Sequence, residues 1–166
     1  MVGIETLKKV DFLKAFPDPI LEKMGSLVRE IGVDKDTVLI QQGDRQEVVY
    51  ILLEGRVVLN CKALDGQLIA LNELAPGSAC GVTALLGEDA SNATFTAVCT
   101  EPCRILTLAA PEVLNYFDSD HQTGYLVMRR VVDVFQTRRN NHTQQFLHSL
   151  AIHPDLEFTG NGEALS

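Results

Sequence analysis

The sequence predicts a mainly β fold, a jelly-roll-like β-roll of about eight strands, with short helices before it and a long helix after it. Three observations lead there. Short runs rich in Val, Ile, Leu and Thr recur between Ser26 and Ala109. Turn signals punctuate them at intervals of about ten residues. On either side of this region the apolar period changes to that of a helix.

The N-terminal elements come first. Leu7, Val10 and Leu13, then Ile20, Met24 and Leu27, recur at helical spacing, so short helices are expected over Leu7–Leu13 and Pro19–Leu27. Pro17 and Pro19 interrupt between them, and Pro19 suits a first helical turn. The strand-like runs come next: "SLVREIGV", "TVLIQQ", "EVVYILLEG", "RVVLNCKAL", "QLIALNEL", "NATFTAVCT" and "CRILTLAA". Asp34–Asp36, Gly43-Asp44, Glu54-Gly55, Asp65-Gly66 and Pro76-Gly77 separate them. Asp65-Gly66 between two strand patterns predicts a two-residue hairpin turn. Strands so numerous and evenly spaced predict a sandwich or barrel.

"AAPEVLNYF" (Ala109–Phe117) returns to the helical period, and Asp118–Asp120 supply a cap for the next segment. From His121 to about Leu150 there is no proline. Tyr125, Met128, Val132 and Phe135 fall at alternating three- and four-residue steps, and Arg139, His142 and Phe146 continue the register. Val127, Val131 and Val134 form a second apolar edge. One edge is expected to pack on its own domain and the other on a second copy, which makes the chain a homodimer. Residues 1–150 thus read as one domain: helices over 1–25, the β-roll over 26–109 and C-terminal helices over 110–150. Residues 151–166 read as a flexible tail.

Composition narrows the class. The chain has 166 residues, 46% of them hydrophobic and 22% charged, enough for one sizeable core. Apolar runs such as Val48–Leu53 are strand-sized, far below a membrane span. The N-terminus lacks the apolar core of a secretory signal, so a cytoplasmic protein is expected, with no membrane partner. A net charge of −8 argues against nucleic acid as a partner. The four cysteines, Cys61, Cys80, Cys99 and Cys103, read as structural thiols, because Cys-x3-Cys alone is a weak metal signal.

"QQGDRQEVVYILLEGRVVLN" (Gln41–Asn60), "ELAPGSACGVTALLG" (Glu73–Gly87) and "NATFTA" (Asn92–Ala97), in that order and spacing, carry a resemblance. Over about residues 7–150 the chain resembles the cyclic-nucleotide-binding domain family, which includes catabolite activator proteins and protein kinase regulatory subunits. The resemblance implies a phosphate-binding cassette at Gly81, Val82, Thr83, Ala84, Leu85, Ser91, Asn92, Ala93 and Thr94, with cyclic AMP or cyclic GMP as the family's ligand. It also implies a Glu after the second cassette glycine, to bind the ribose, and an Arg before the exit strand, to pair with the phosphate. Here the Glu position is Val82, and the Arg position is Ser91 or, one residue on, Asn92. From Ala63 to Cys103 there is no basic residue at all, while Glu88 and Asp89 add negative charge.

Losing a charge-assisted bond to a buried anion costs about 2–5 kcal/mol. A helix N-terminus returns only about 0.3–2 kcal/mol. A site that would otherwise bind at the micromolar level should therefore bind in the millimolar range or not at all. The cassette is expected either to collapse, with Val82 joining the core, or to hold a neutral or weakly charged ligand. An arginine from elsewhere, Arg45, Arg56 or Arg104, is the one way around this.

Other chemistry finds little support. His121, His142, His148 and His153 all lie in the terminal helix or tail, and His142 and His148 are not at metal-ligand spacing. No nucleophile motif accompanies them, so neither a catalytic residue nor a metal site is expected. Arg129-Arg130 and Arg138-Arg139 read as a solvated basic band. The residues after Leu150 are too few for the helix-turn-helix that succeeds the long helix in the family's transcription factors. The expected function is a non-catalytic, stand-alone regulatory or adaptor module, dimeric, contacting an unidentified protein, with weak or no nucleotide binding and no cofactor. The alternatives are a small-molecule receptor using the cassette and a cysteine-based redox or haem sensor, for which Cys80 lies in the cassette turn.

Overall fold

The computed structural model describes residues 2–63, 66–87 and 92–152. The described residues divide into two compact units, one up to Arg130 and one from Val131 onward. Among the described residues there are eight strands in two antiparallel four-stranded sheets, as the sequence predicts.

The N-terminal region differs from expectation in an instructive way. Helix α1 spans only Ile4–Lys8. Beyond it the chain advances by bonds three residues apart: Val10 N–H to Leu7 O (3.1 Å), Leu13 N–H to Val10 O (3.0 Å) and Phe16 N–H to Leu13 O (3.0 Å). Turns of this kind put every third residue on one side. Leu7, Val10, Leu13 and Phe16 are accordingly all buried. The apolar spacing was legible, but three-residue steps fit successive turns as well as a helix. Helix α2 (Asp18–Leu27) starts after Pro17, carries Pro19 in its first turn, buries Ile20, Leu21 and Met24, and packs on the first strand.

The strands are β1 (Val28–Val33), β2 (Val38–Ile40), β3 (Val48–Glu54), β4 (Val57–Lys62), β5 (Leu68–Leu74), β6 (Ala79–Cys80), β7 (Thr96–Cys99) and β8 (Cys103–Ala109). One sheet has the order β1-β8-β3-β6 and the other β2-β7-β4-β5. Between β6 and β7 lies a 3₁₀ helix, Val82–Leu86. Helix α3 (Ala110–Ser119) comes directly after β8, and helix α4 runs from His121 to Ile152. Of the expected Asp65-Gly66 turn between β4 and β5, Asp65 lies outside the described residues; at its edge the ladder holds Ala63 N–H to Gln67 O (2.8 Å).

The inter-sheet core is built from inward positions of both sheets, among them Leu52, Val57, Leu59, Ala97, Cys99, Cys103 and Ile105. Strand β8 is buried on both faces. Cys103 and Ile105 point into that core, while Leu106 and Leu108 are buried on the opposite face, where α3 packs. Arg104, between them, faces out and pairs with Glu30 (2.7 Å) and with Glu54.

The β3–β4 corner shows why a glycine is required there. Gly55 has φ +97°, and a Cβ on it would come within 2.6 Å of Cys103 Sγ and 2.7 Å of Pro102 O. Gly55→Ala should therefore cost about 3 kcal/mol, because the positive φ and the clash add. Gly43→Ala, at φ +91° but with nothing nearby, should cost only about 1 kcal/mol. Urea unfolding of both variants measures the difference.

Candidate functional site

The predicted cassette begins at Gly81, whose φ of +75° turns the chain out of β6 into the 3₁₀ helix. Gly81 is hemmed in: a Cβ there would lie 2.6 Å from Val48 O and 3.0 Å from Gln46 Nε2. Val82 is 1% exposed, and Ala84 and Leu85 are also buried. Thr83 is half-buried, and Leu86 is exposed. Val82, Ala84 and Leu85 seat this short helix against the roll, and it packs on both β3 and α3.

The exit segment is placed by backbone pairing. Asn92 bridges Arg45, Ala93 N–H donates to Asp44 O (2.8 Å), and Gly43 N–H donates to Ala93 O (2.7 Å). Ala93 is buried in the same core cluster as Cys80, the residue before the cassette turn. Asn92 and Thr94 are exposed. Ser91 lies outside the described residues, as do Glu88 and Asp89.

Two residues that strand and helix periods could not place stand out. Gln46 is only 7% exposed, and its Nε2 donates to Val48 O (2.9 Å), so a loop glutamine fills the space beside Gly81. In the sequence it sits in "GDRQE", a turn-like polar run, and only the tertiary position of that turn buries it. Arg45 is the second. It lines a cleft of about 240 Å³ with Gln41, Gln46 and Tyr50, and another of about 220 Å³ with Ala84, Gly87, Pro111 and Leu114. It also forms an ion pair with Glu47 (3.2 Å). Arg56 pairs with Glu73 (3.2 Å), and Arg104 with Glu30 and Glu54. Of the three arginines considered as replacements, Arg45 is the one brought to the cassette. Burial pushes the Tyr50 phenol above its ordinary value, with Cys80 nearby adding to the effect.

The second set of predicted residues lies on α4. In the first unit, Tyr125 is 62% exposed, Met128 is half-buried and Val127 is buried. The Arg129 guanidinium sits over the Tyr125 ring, 5.8 Å from its centroid. In the second unit, Val132 is 50% exposed, Phe135 is half-buried, and Arg139, His142 and Phe146 are exposed, while Val131 is buried. The two apolar edges thus differ: the valine edge begins buried, and the seam begins open. Arg130 is not part of a freely solvated band, since its guanidinium donates to Phe12 O (3.3 Å) and Asp11 O (2.5 Å). Among the described residues no group of three or more ligating side chains could hold a metal ion. Nor is any described helix long and apolar enough to cross a membrane.

Asp120 starts α4 as the sequence predicts. Its carboxylate accepts from Thr123 N–H (3.1 Å), Thr123 Oγ1 (2.8 Å), Tyr116 OH (3.0 Å) and Lys23 Nζ (2.8 Å). Gly124 allows close approach to α3, because a Cβ there would lie 2.9 Å from Phe117 Cβ. The Lys23 bond, then those from Thr123 and Tyr116, holds the Asp120 carboxyl well below the usual range. A depressed carboxyl stabilises the fold fully above its unfolded pKa near 4 and loses that contribution as pH falls towards the folded value. The stability gap between wild type and Asp120→Asn should therefore be constant above about pH 5 and narrow below about pH 4. Denaturant melts from acid to neutral pH test this; a gap independent of pH would assign the effect to shape alone.

Comparison with known proteins accords with this architecture. The family model for the cyclic nucleotide-binding domain matches residues 30–120, more than half of the chain. No curated protein matches. A cyclic nucleotide-binding domain from Methylobacillus flagellatus superposes with a TM-score of 0.76 at 15% identity, covering 88% of this chain and 81% of that one. The Thermus thermophilus catabolite activator protein gives 0.68 at 22% identity, covering 85% of this chain and 63% of that one. The regulatory subunit of a cAMP-independent protein kinase A from Trypanosoma brucei gives 0.66 at 18% identity, covering 87% and 50%. At such identities these likenesses are of fold. With the family model they place the chain: it belongs to the cyclic nucleotide-binding domain family, whose members are in general regulatory.

Proposed function

We propose that this family member is a non-catalytic cytoplasmic regulatory module whose cassette holds cyclic nucleotides weakly or not at all, and which acts as a dimer on another protein. The observation that carries the reading is Val82. It occupies the position where the resemblance implies a ribose-binding Glu, and it is 1% exposed, packed as a core residue. A buried valine offers no acceptor to a sugar hydroxyl. The stretch from Ala63 to Cys103 supplies no cation for a phosphate. The trypanosomal regulatory subunit gives a parallel. It belongs to a cAMP-independent kinase, and a triply substituted form of it, one change of which introduces an arginine, is bound to cAMP.

Isothermal titration with cyclic AMP and cyclic GMP should show no binding tighter than about 1 mM, a standard free energy no better than about −4 kcal/mol. Micromolar binding by the wild type would sink the reading. Ser91→Arg restores the missing charge without placing a carboxylate at buried position 82, and should raise affinity by about thirtyfold or more.

A second reading rests on Arg45. Held beside the cassette exit by the pairing with Asn92, it could act as counter-charge to an anionic metabolite bound through Thr83, Asn92 and Thr94. If the wild type does bind a nucleotide, loss of that binding in Arg45→Gln would select this receptor reading.

Dimerisation is assigned to the open seam of α4: Tyr125, Met128, Val132, Phe135, Arg139, His142 and Phe146. Light scattering should report a dimer. Val132→Asp, placing a charge on a half-exposed seam position, should yield monomers. A dimer unchanged by this substitution would put the interface elsewhere.

A further inference from the structure

The four thiols differ in setting. Cys61 is half-buried on β4, and Cys80 is buried on β6. Cys99 is the last residue of β7 and Cys103 the first of β8, so three residues, Thr100, Glu101 and Pro102, carry the chain from one sheet to the other. Both side chains lie in the same core cluster. Both also face the β3–β4 corner. Cys99 pairs with Val57, while Cys103 Sγ is 3.5 Å from Arg56 O and 3.2 Å from Glu101 O. Gly55, lacking a Cβ, leaves the space that Cys103 Sγ occupies. Cys103 also contributes to the wall of a cleft of about 370 Å³, with Gly32, Asp34, Glu54, Pro102 and Arg104.

We infer that Cys99 and Cys103 form a reversibly oxidisable dithiol, a modification site for small peroxides at the crossing between the two sheets. The pairing is local and geometric: two thiols four residues apart, joined by a three-residue connection, in one core cluster and neighbours of each other. The cleft sets the order of reaction. Cys103 (3% exposed) lies at its wall, whereas Cys99 (0% exposed) lies behind. Burial, and the Cys103 thiol beside it, push the Cys99 thiol up to about 12.

The chemistry balances with hydrogen peroxide as oxidant. The Cys103 sulfur attacks one peroxide oxygen as its S–H proton leaves, and the O–O bond breaks. Cys103 becomes a sulfenic acid, and the departing hydroxide takes up the thiol proton as water. The Cys99 sulfur then attacks the Cys103 sulfur; the S–O bond breaks, the S–S bond forms, and the Cys99 proton leaves with the hydroxyl as a second water. Each sulfur loses one electron and the peroxide gains two. The disulfide would tie the end of β7 to the start of β8, and a cellular dithiol would reverse it. This holds whatever the cassette binds, so nucleotide titrations neither support nor weaken it.

The test uses the full chain under native conditions. Wild type and Cys61→Ser/Cys80→Ser are exposed to excess hydrogen peroxide, then alkylated after denaturation. Both should lose two alkylatable thiols, fall by about 2 Da, and recover both thiols with dithiothreitol. Cys99→Ser should stop at a sulfenic acid on Cys103 that dimedone traps, and Cys103→Ser should leave Cys99 unlabelled. The proposal is overturned if Cys61→Ser/Cys80→Ser keeps both thiols. It is overturned equally if the wild-type link joins Cys61 or Cys80, a readout that needs no variant to fold.

Discussion

Strand β8 cannot shift by one residue, and most of the structure depends on that constraint. It lies between β1 and β3, hydrogen-bonded on both edges and buried on both faces. A slip of one position would exchange the inward Cys103 and Ile105 with Arg104 and Leu106, driving a guanidinium into the inter-sheet core. An unpaired buried charge costs several kcal/mol at least. In the observed register Arg104 instead meets Glu30 and Glu54 on the outer face. Those ion pairs are solvent-exposed and add little attraction of their own. Their role is to make the one permitted register fully satisfied on both sides.

Helix α3 inherits its position from β8. It begins without a loop, at Ala110, whose N–H donates to Glu47 O (2.8 Å) in the turn before β3. That bond draws together the end of β8, the loop that carries Arg45 and Gln46, and the 3₁₀ helix against which α3 packs. Three residues past Phe117, the last buried residue of α3, Asp120 gathers bonds from Lys23, Tyr116 and Thr123. The cassette and the first turn of α4 are therefore linked through one short helix fixed at both ends. Close-packed protein interiors shift between discrete packings rather than deforming smoothly.

The strands were legible because period-two apolar runs and turn residues agreed on the same boundaries. Strand β6 was not, since two residues have no period to read. The Leu7–Leu13 pattern gave the correct buried face with the wrong element, because residues three apart align in turns and helices alike. On α4 the sequence showed two apolar edges, and only tertiary structure distinguishes buried Val127 from exposed Tyr125. The proposed cassette segment was picked out by order and spacing, and Arg45 could be named only as one of three arginines able to reach it; Gln46 was out of reach, since it reads as a polar loop residue until the tertiary fold buries it beside Gly81.

The proposed weakness of the cassette comes from how its two departures interact. Consider a cradle with a Glu at position 82 but without an arginine before the exit strand. Position 82 is nearly inaccessible to water, so that carboxylate would be a buried charge with no counter-ion. Such a group costs several kcal/mol of stability or takes up a proton, and either outcome removes its use as a strong acceptor. A valine at the same place gains about 1.5–3 kcal/mol from burial instead. Once the cation is gone, replacing the acid becomes stabilising. The reverse order is milder, because an arginine reaching in from the exit loop can stay solvated without its partner. On the proposed reading, the absence of charge before the exit strand is thus what makes Val82 favourable, and charge there should come first in any attempt to confer nucleotide binding.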